Sequence, residues 1–153
     1  MADKFDFSKI ERKARTALER SLILIGNTAK NHFIQSFRNQ GFDDKSIEKW
    51  QPRKRNTYRT KGGKIVNDTT RAILVKSGDL RRSIKLGTVN KSNLRIVISS
   101  DLPYSKIHNE GLTGKAFGKH SFKMPKRQFM GDSYNMNEKI KKVIINNLDK
   151  TFK

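Results

Sequence analysis

Apolar residues recur at Ile10, Ala14, Ala17, Leu18, Leu22, Ile25, Ala29, Phe33 and Phe37, close to the 3.6-residue period of an α-helix. This pattern predicts one long amphipathic helix over residues 8–40, and whatever follows has to cover its apolar stripe. Ser8 and Glu11 fit a capping box, in which the hydroxyl and the carboxylate each satisfy a backbone N–H that has no partner inside the helix. Gly41 fits the stop, because glycine takes the left-handed C-terminal conformation at little cost. Gly26 is expected to bend or weaken the middle.

Beyond this helix the pattern shortens. Pro52, Gly62 and Gly63 interrupt residues 42–72, which read as an extended or mobile connection. Ile73, Leu74 and Val75 fit the start of a strand, and Ser77 would cap a short helix with Leu80 and Ile84 on one face. Residues 85–89 and 94–99 read as two strands around a turn at 90–93. Leu94, Ile96 and Ile98 alternate there with Arg95, Val97 and Ser99, which predicts a half-buried antiparallel strand. Pro103 suits the first turn of a helix over residues 104–110 that Gly111 closes. Residues 112–123 read as a Gly- and Lys-rich loop, and 124–130 as a final strand that Pro125 confines to an edge or bends. The last predicted helix covers residues 137–150, with Asn135 as its cap and Glu138 in its first turn. Its stripe is Met136, Ile140, Val143, Ile144 and Leu148. The fold class is therefore α+β: a long N-terminal helix, a small antiparallel sheet with short helices, and a C-terminal helix, in a single domain over residues 1–153.

Composition narrows the function classes. Hydrophobic residues make up 34% of the chain and the mean hydropathy is -0.77, so the core is modest. Lys and Arg number 34 against 14 Asp and Glu, a formal +20. Such a surface attracts polyanions, whether nucleic acid, an acidic protein or an anionic membrane. There is no cysteine, which excludes disulfides, cysteine-based zinc sites and cysteine nucleophiles. No apolar run reaches the length of a membrane span, and residues 1–7 lack the apolar core of a secretion signal. Synthesis and use in a cytoplasm, away from membranes, are the expectation.

Four stretches, in this order and spacing, carry a family resemblance. They are Trp50-Gln51-Pro52; Ile73-Leu74-Val75 leading into Ser77-Gly78-Asp79-Leu80-Arg81-Arg82-Ser83-Ile84; Tyr104-Ser105-Lys106-Ile107-His108-Asn109-Glu110-Gly111; and Met124-Pro125-Lys126-Arg127-Gln128-Phe129-Met130-Gly131. From Trp50 to the C-terminal helix the chain resembles the phage virion morphogenesis family, the tail completion proteins of contractile-tailed and Mu-like phages. Residues 112–123 depart from the family pattern. The resemblance implies a structural protein that completes the tail or joins head to tail at the virion neck. It implies no enzyme activity and no cofactor. Its implied partners are copies of itself in a ring, often sixfold, together with tail and head-connector proteins. The family-motif residues Trp50, Ser77, Gly78, Leu80, Tyr104, His108, Gly111, Pro125, Arg127 and Phe129 are then expected to be structural.

The excess charge is uneven. Residues 1–49 carry 10 basic and 7 acidic side chains, whereas residues 50–153 carry 24 and 7. Arg53, Lys54, Arg55, Arg59, Lys61 and Lys64 form one acid-free run. Lys115, Lys119, Lys123, Lys126 and Arg127 form a second, among Gly111, Gly114 and Gly118. Each run reads either as a surface facing DNA or an acidic partner, or as an ordinary solvated loop. Sequence-independent nucleic-acid binding accounts for the charge equally well and is the alternative function, although no RNP-like strand, KH loop or recognition helix accompanies it.

Chemical motifs are weak. His32, His108 and His120 are too scattered for a metal site, and no carboxylate pair joins them at ligand spacing. His108-Asn109-Glu110 lacks the further ligands that an HNH nuclease needs. Ser77, Asp79 and Ser83 could be cast as catalytic groups but fit a helix cap and its first turn better. Trp50 either stacks on a base or anchors the chain leaving the first helix, and Phe129 and Met130 read as core.

Overall fold

The computed structural model describes residues 6–53, 57–68, 71–116 and 120–153. Helix α1 (Phe7–Asn39) buries Ala17, Leu22, Gly26, Ala29, Phe33 and Phe37 along the stripe that the periodicity marks. Its cap is Asp6 rather than Ser8. The Asp6 carboxylate accepts the Ser8 N–H at 3.0 Å and the Ser8 hydroxyl at 2.6 Å, so the predicted capping box does not form. Its stop is Gln40 rather than Gly41. Gln40 takes the left-handed conformation (φ 53°), and its side chain donates to the Phe37 carbonyl while accepting the Ile73 N–H. Gly41 is needed for space instead. A Cβ there would lie 2.5 Å from the Glu48 carbonyl oxygen across the next strand pair.

Residues 42–72 are not the extended connection expected. Strands β1 (Gly41–Asp43) and β2 (Ile47–Lys49) form one antiparallel hairpin, and β3 (Thr57–Arg59) and β4 (Ile65–Asn67) form a second. The glycines that signal a break make the second turn, where Gly63 has φ 82°. Ile73 to Val75 is a turn and not a strand, with Leu74 at φ 60°. The turn is tied from outside: Gln40 takes the Ile73 N–H, and Arg53 donates to the carbonyls of Arg71 and Ala72.

Helix α2 (Asp79–Arg82) follows Gly78, which holds the cap position at φ 79° while the Ser77 hydroxyl accepts the Asp79 N–H. Leu80 and Ile84 are both buried, as their spacing predicts. Strands β5 (Ile84–Asn90) and β6 (Arg95–Ser100) pair antiparallel with a register shift between Leu86 and Val89. Leu94 lies outside the strand, in the turn, with φ 47°. This hairpin packs on α1 at Gly26, where a Cβ would meet Leu86 at 2.5 Å and Ile96 at 3.1 Å. Gly26 therefore serves close approach, and α1 runs through it unbroken.

Helix α3 (Ser105–Glu110) closes at Gly111 with φ 72°. The predicted loop that follows is a fourth hairpin, β7 (Thr113–Ala116) with β8 (His120–Lys123). The Phe122 ring lies over its cross-strand partner Gly114 and fills the space a side chain would occupy. Residues 124–130 form no strand. Helix α4 (Tyr134–Phe152) is capped by Ser133, whose hydroxyl accepts the Met136 N–H at 3.1 Å. Asn135 is drawn instead to the Asp43 carboxylate at 2.7 Å, and Glu138 pairs with Lys141. Helices α1 and α4 pack together, and the core joins Ala29, Phe33, Phe37, Phe42, Trp50, Leu80, Ile84, Phe129 and Met136.

Candidate functional site

The four sequence stretches that carry the resemblance meet in one place. Residues 124–130 run as a strap across α3 and the segment after β2. The Trp50 indole N–H donates to the Gln128 carbonyl at 2.7 Å. The Arg127 N–H donates to the His108 carbonyl at 2.8 Å, and the Met124 N–H to the Leu112 carbonyl at 3.1 Å. The Asn109 carboxamide accepts the N–H groups of Phe129 and Met130, both at 2.9 Å. Satisfying the strap from side chains, a carbonyl at the end of α3 and a loop carbonyl replaces the ladder of the expected strand. Phe129 is fully buried, 5.2 Å from the Phe37 ring, and Phe37 meets Trp50 edge-on at 5.5 Å. Trp50 is thus an anchor in the core and is not free to stack on a base. Gly111 lets the strap pass, since a Cβ there would stand 2.7 Å from the Lys126 nitrogen. Pro125 is half-buried in the strap.

Arg127 is only 7% exposed and has no carboxylate partner among the described residues. Its Nε and Nη2 donate to the Gln51 carbonyl at 3.2 and 3.1 Å, while Nη1 reaches only the thioether of Met124 at 3.9 Å. Burial, and secondly the nearby Arg53, lower its pKa.

Beside this junction lies a cleft of about 370 Å³. Arg53, Arg71, Lys76 and Arg127 supply its positive charge; Ser77, Asp79, Tyr104 and His108 line it with them; and Ala72, Ile73, Leu74 and Leu80 give it an apolar part. One carboxylate, Asp68, serves both Arg53 (3.4 Å) and Arg71 (2.8 Å). Asp79 is taken by Arg82 at 2.5 Å and by the Ser77 hydroxyl. Lys76 has no partner among the described residues. His108 stands edge-on to Tyr104, and its Nδ1 is buried without a hydrogen-bond partner among the described residues. Burial, then Arg127, lower its pKa. Arg53, which the sequence groups with a basic run open to either a partner-facing or a solvated reading, is folded into this wall, its side chain 20% exposed and bonded to the carbonyls of Arg71 and Ala72.

The remaining basic residues lie elsewhere. Arg59, Lys61 and Lys64 lie on the β3–β4 hairpin, and Lys115 and Lys123 on the β7–β8 hairpin. All five are exposed and unpaired among the described residues. Lys54, Arg55 and Lys119 lie outside the described residues. Ser83 bonds the Leu80 carbonyl and the Ser100 hydroxyl, so both serines that could be cast as catalytic groups have structural partners. Among the described residues no group of three or more histidines and carboxylates stands ready to hold a metal, and no helix is long and apolar enough to cross a membrane.

No local pattern marks Asn109 or Gln40, because a carboxamide acting on distant backbone leaves no periodicity. Arg127 is legible only as part of its Met-Pro-x-Arg-x-Phe stretch.

The model of the phage virion morphogenesis family matches residues 7–149. Comparison with curated proteins and with solved structures gave no match.

Proposed function

This chain belongs to the phage virion morphogenesis family, and from that premise we propose that it completes the tail and joins it to the head at the virion neck. The observation that carries the proposal is the family match over residues 7–149, whose most distinctive stretches converge in the strap junction. Membership implies a phage structural or assembly role. The finer position, the work as a ring of identical subunits, the partnership with tail and head-connector proteins and the absence of bond chemistry are parts of the proposal. An all-antiparallel α+β fold with two basic hairpins standing off the body supports it, because isolated two-stranded hairpins gain most of their stability when a neighbour covers them.

Electron microscopy of a lysate from a phage with a stop codon at Trp50 tests the reading. Filled heads lying apart from unfinished or overlong tails, rejoined on adding purified protein, are the expected result. Normal infectious virions would overturn it.

The exposed cations Arg59, Lys61, Lys64, Lys115 and Lys123 favour a second reading, contact with nucleic acid independent of sequence. In the neck these hairpins would face the passage of the genome. As an isolated activity, tight salt-dependent DNA binding by a monomer that never docks on tails would favour this reading over the first.

A further inference from the structure

The cleft beside the strap gathers Arg53, Arg71, Lys76 and Arg127 around one lining carboxylate, Asp79, which Arg82 already holds. Lys76 and Arg127 have no carboxylate partner among the described residues, and Arg53 and Arg71 share one. Arg53 acts on Arg127 as a like charge, and an anion among the cations that line the cleft would relieve such repulsion. The Arg127 guanidinium keeps donor capacity, since among the described residues its Nη1 meets only a sulfur.

We propose that this cleft binds a carboxylate-bearing peptide segment of a partner protein, with the carboxylate between Arg71, Lys76 and Arg127 and an adjacent apolar side chain against Ile73, Leu74 and Leu80. The proposal rests on the assembly role above and names a partner chemistry for it. Three observations select this ligand. The deepest cations are recessed: Arg127 is 7% exposed and the Arg53 side chain 20%, out of reach of the rigid phosphate backbone of a duplex. The floor is apolar, which a phosphate group cannot use and a leucine beside a glutamate can. A second copy of this chain carries +20 and is a poor source of negative charge, so the segment belongs to an acidic partner. Leu74 holds its left-handed backbone at this floor, a strained conformation fixed by Gln40 and Arg53 from outside.

The test is an NMR titration of the full ¹⁵N-labelled chain with a blocked tetrapeptide alternating glutamate and leucine. Saturable shifts at Ile73, Leu74, Lys76, Leu80, Tyr104 and His108 are expected, with His108 titrating at higher pH in the complex. Lys76→Glu, an exposed change compatible with folding, should weaken binding by about tenfold or more. Absence of shifts at these residues would overturn the proposal. So would equal binding of the glutamine–leucine peptide, or tighter saturation of the same residues by inorganic phosphate or a short duplex DNA. These results are independent of the Trp50 stop-codon lysate, so either reading can fail while the other stands.

Discussion

The carboxamide of Asn109 holds the backbone of Met130 from both sides. Its Oδ1 accepts the Met130 N–H at 2.9 Å and its Nδ2 donates to the Met130 carbonyl at 3.0 Å. The same Oδ1 also takes the Phe129 N–H. One side chain of α3 thus fixes the strap that seats Phe129 in the core. Asn109→Ala removes all three bonds and should destabilise the fold by about 2–4 kcal/mol in urea unfolding. Asn109→Asp keeps the acceptor but turns a carboxylate toward a carbonyl, so it should fall between wild type and Asn109→Ala. An alanine variant as stable as wild type would show that the strap is held elsewhere.

Gly111 combines a left-handed backbone with a strap crossing directly above it. Gly111→Ala should cost about 2 kcal/mol or more, from the strained φ and the clash with Lys126 together. Gly62, in the β3–β4 turn, faces open space, and Gly62→Ala should change stability by less than about 0.5 kcal/mol. Equal effects of the two in thermal melts would contradict the close crossing.

Stability should fall as the pH drops below about 6.5. His32 is 4% exposed; its Nε2 donates to the Asp43 carbonyl at 2.8 Å, with Ser133 at 3.0 Å, while Lys139 and the Asp43 carboxylate face its Nδ1. Burial, the largest cause, lowers its pKa, and burial does the same for His108. A folded pKa below the unfolded value near 6.5 means that the unfolded chain takes up the proton first. The stability is complete above about pH 6.5 and is lost as pH falls through the folded pKa, with a slope of at most about 1.4 kcal/mol per pH unit for each histidine. Urea midpoints across this range give the slope, and His32→Gln should flatten it. A flat wild-type profile would count against the buried neutral His32.

The hairpin cations should act on partners and not on folding. Changing Arg59, Lys61 and Lys64 together to glutamate should leave the stability within about 0.5 kcal/mol of wild type, because all three are exposed and unpaired among the described residues. If these residues touch DNA, the slope of log affinity against log salt should become shallower by about 0.9 for each phosphate that the variant no longer neutralises. Fluorescence anisotropy on a duplex at several salt concentrations reads this directly. An unchanged slope would direct the hairpins toward protein.

Much of the local architecture is legible from residue order. The α1 stripe, the β5–β6 pair, the Pro103–Gly111 helix and the Met136–Leu148 stripe all follow from periodicity and from glycine and proline, which act on the backbone within a few residues. The family resemblance is legible for the same reason, since its four stretches are local strings. Where side chains compete for one role, tertiary structure decides. Asp6 displaces Ser8 as the first cap, and Ser133 displaces Asn135 at α4 because Asn135 is drawn to Asp43. Gln40 takes the stop from Gly41, and Asn109 supplies the bonds that a strand at residues 124–130 would have needed. The cleft depends on tertiary structure most of all. Arg53, Lys76, His108 and Arg127 are far apart in sequence; the crossing of the strap over α3 sets Arg127 beside His108, and the Arg53 bonds to the carbonyls of Arg71 and Ala72 bring the other side of the wall to them. Periodicity reports which face of an element is apolar, whereas burying a charge without a counter-ion is a property of the packed chain alone.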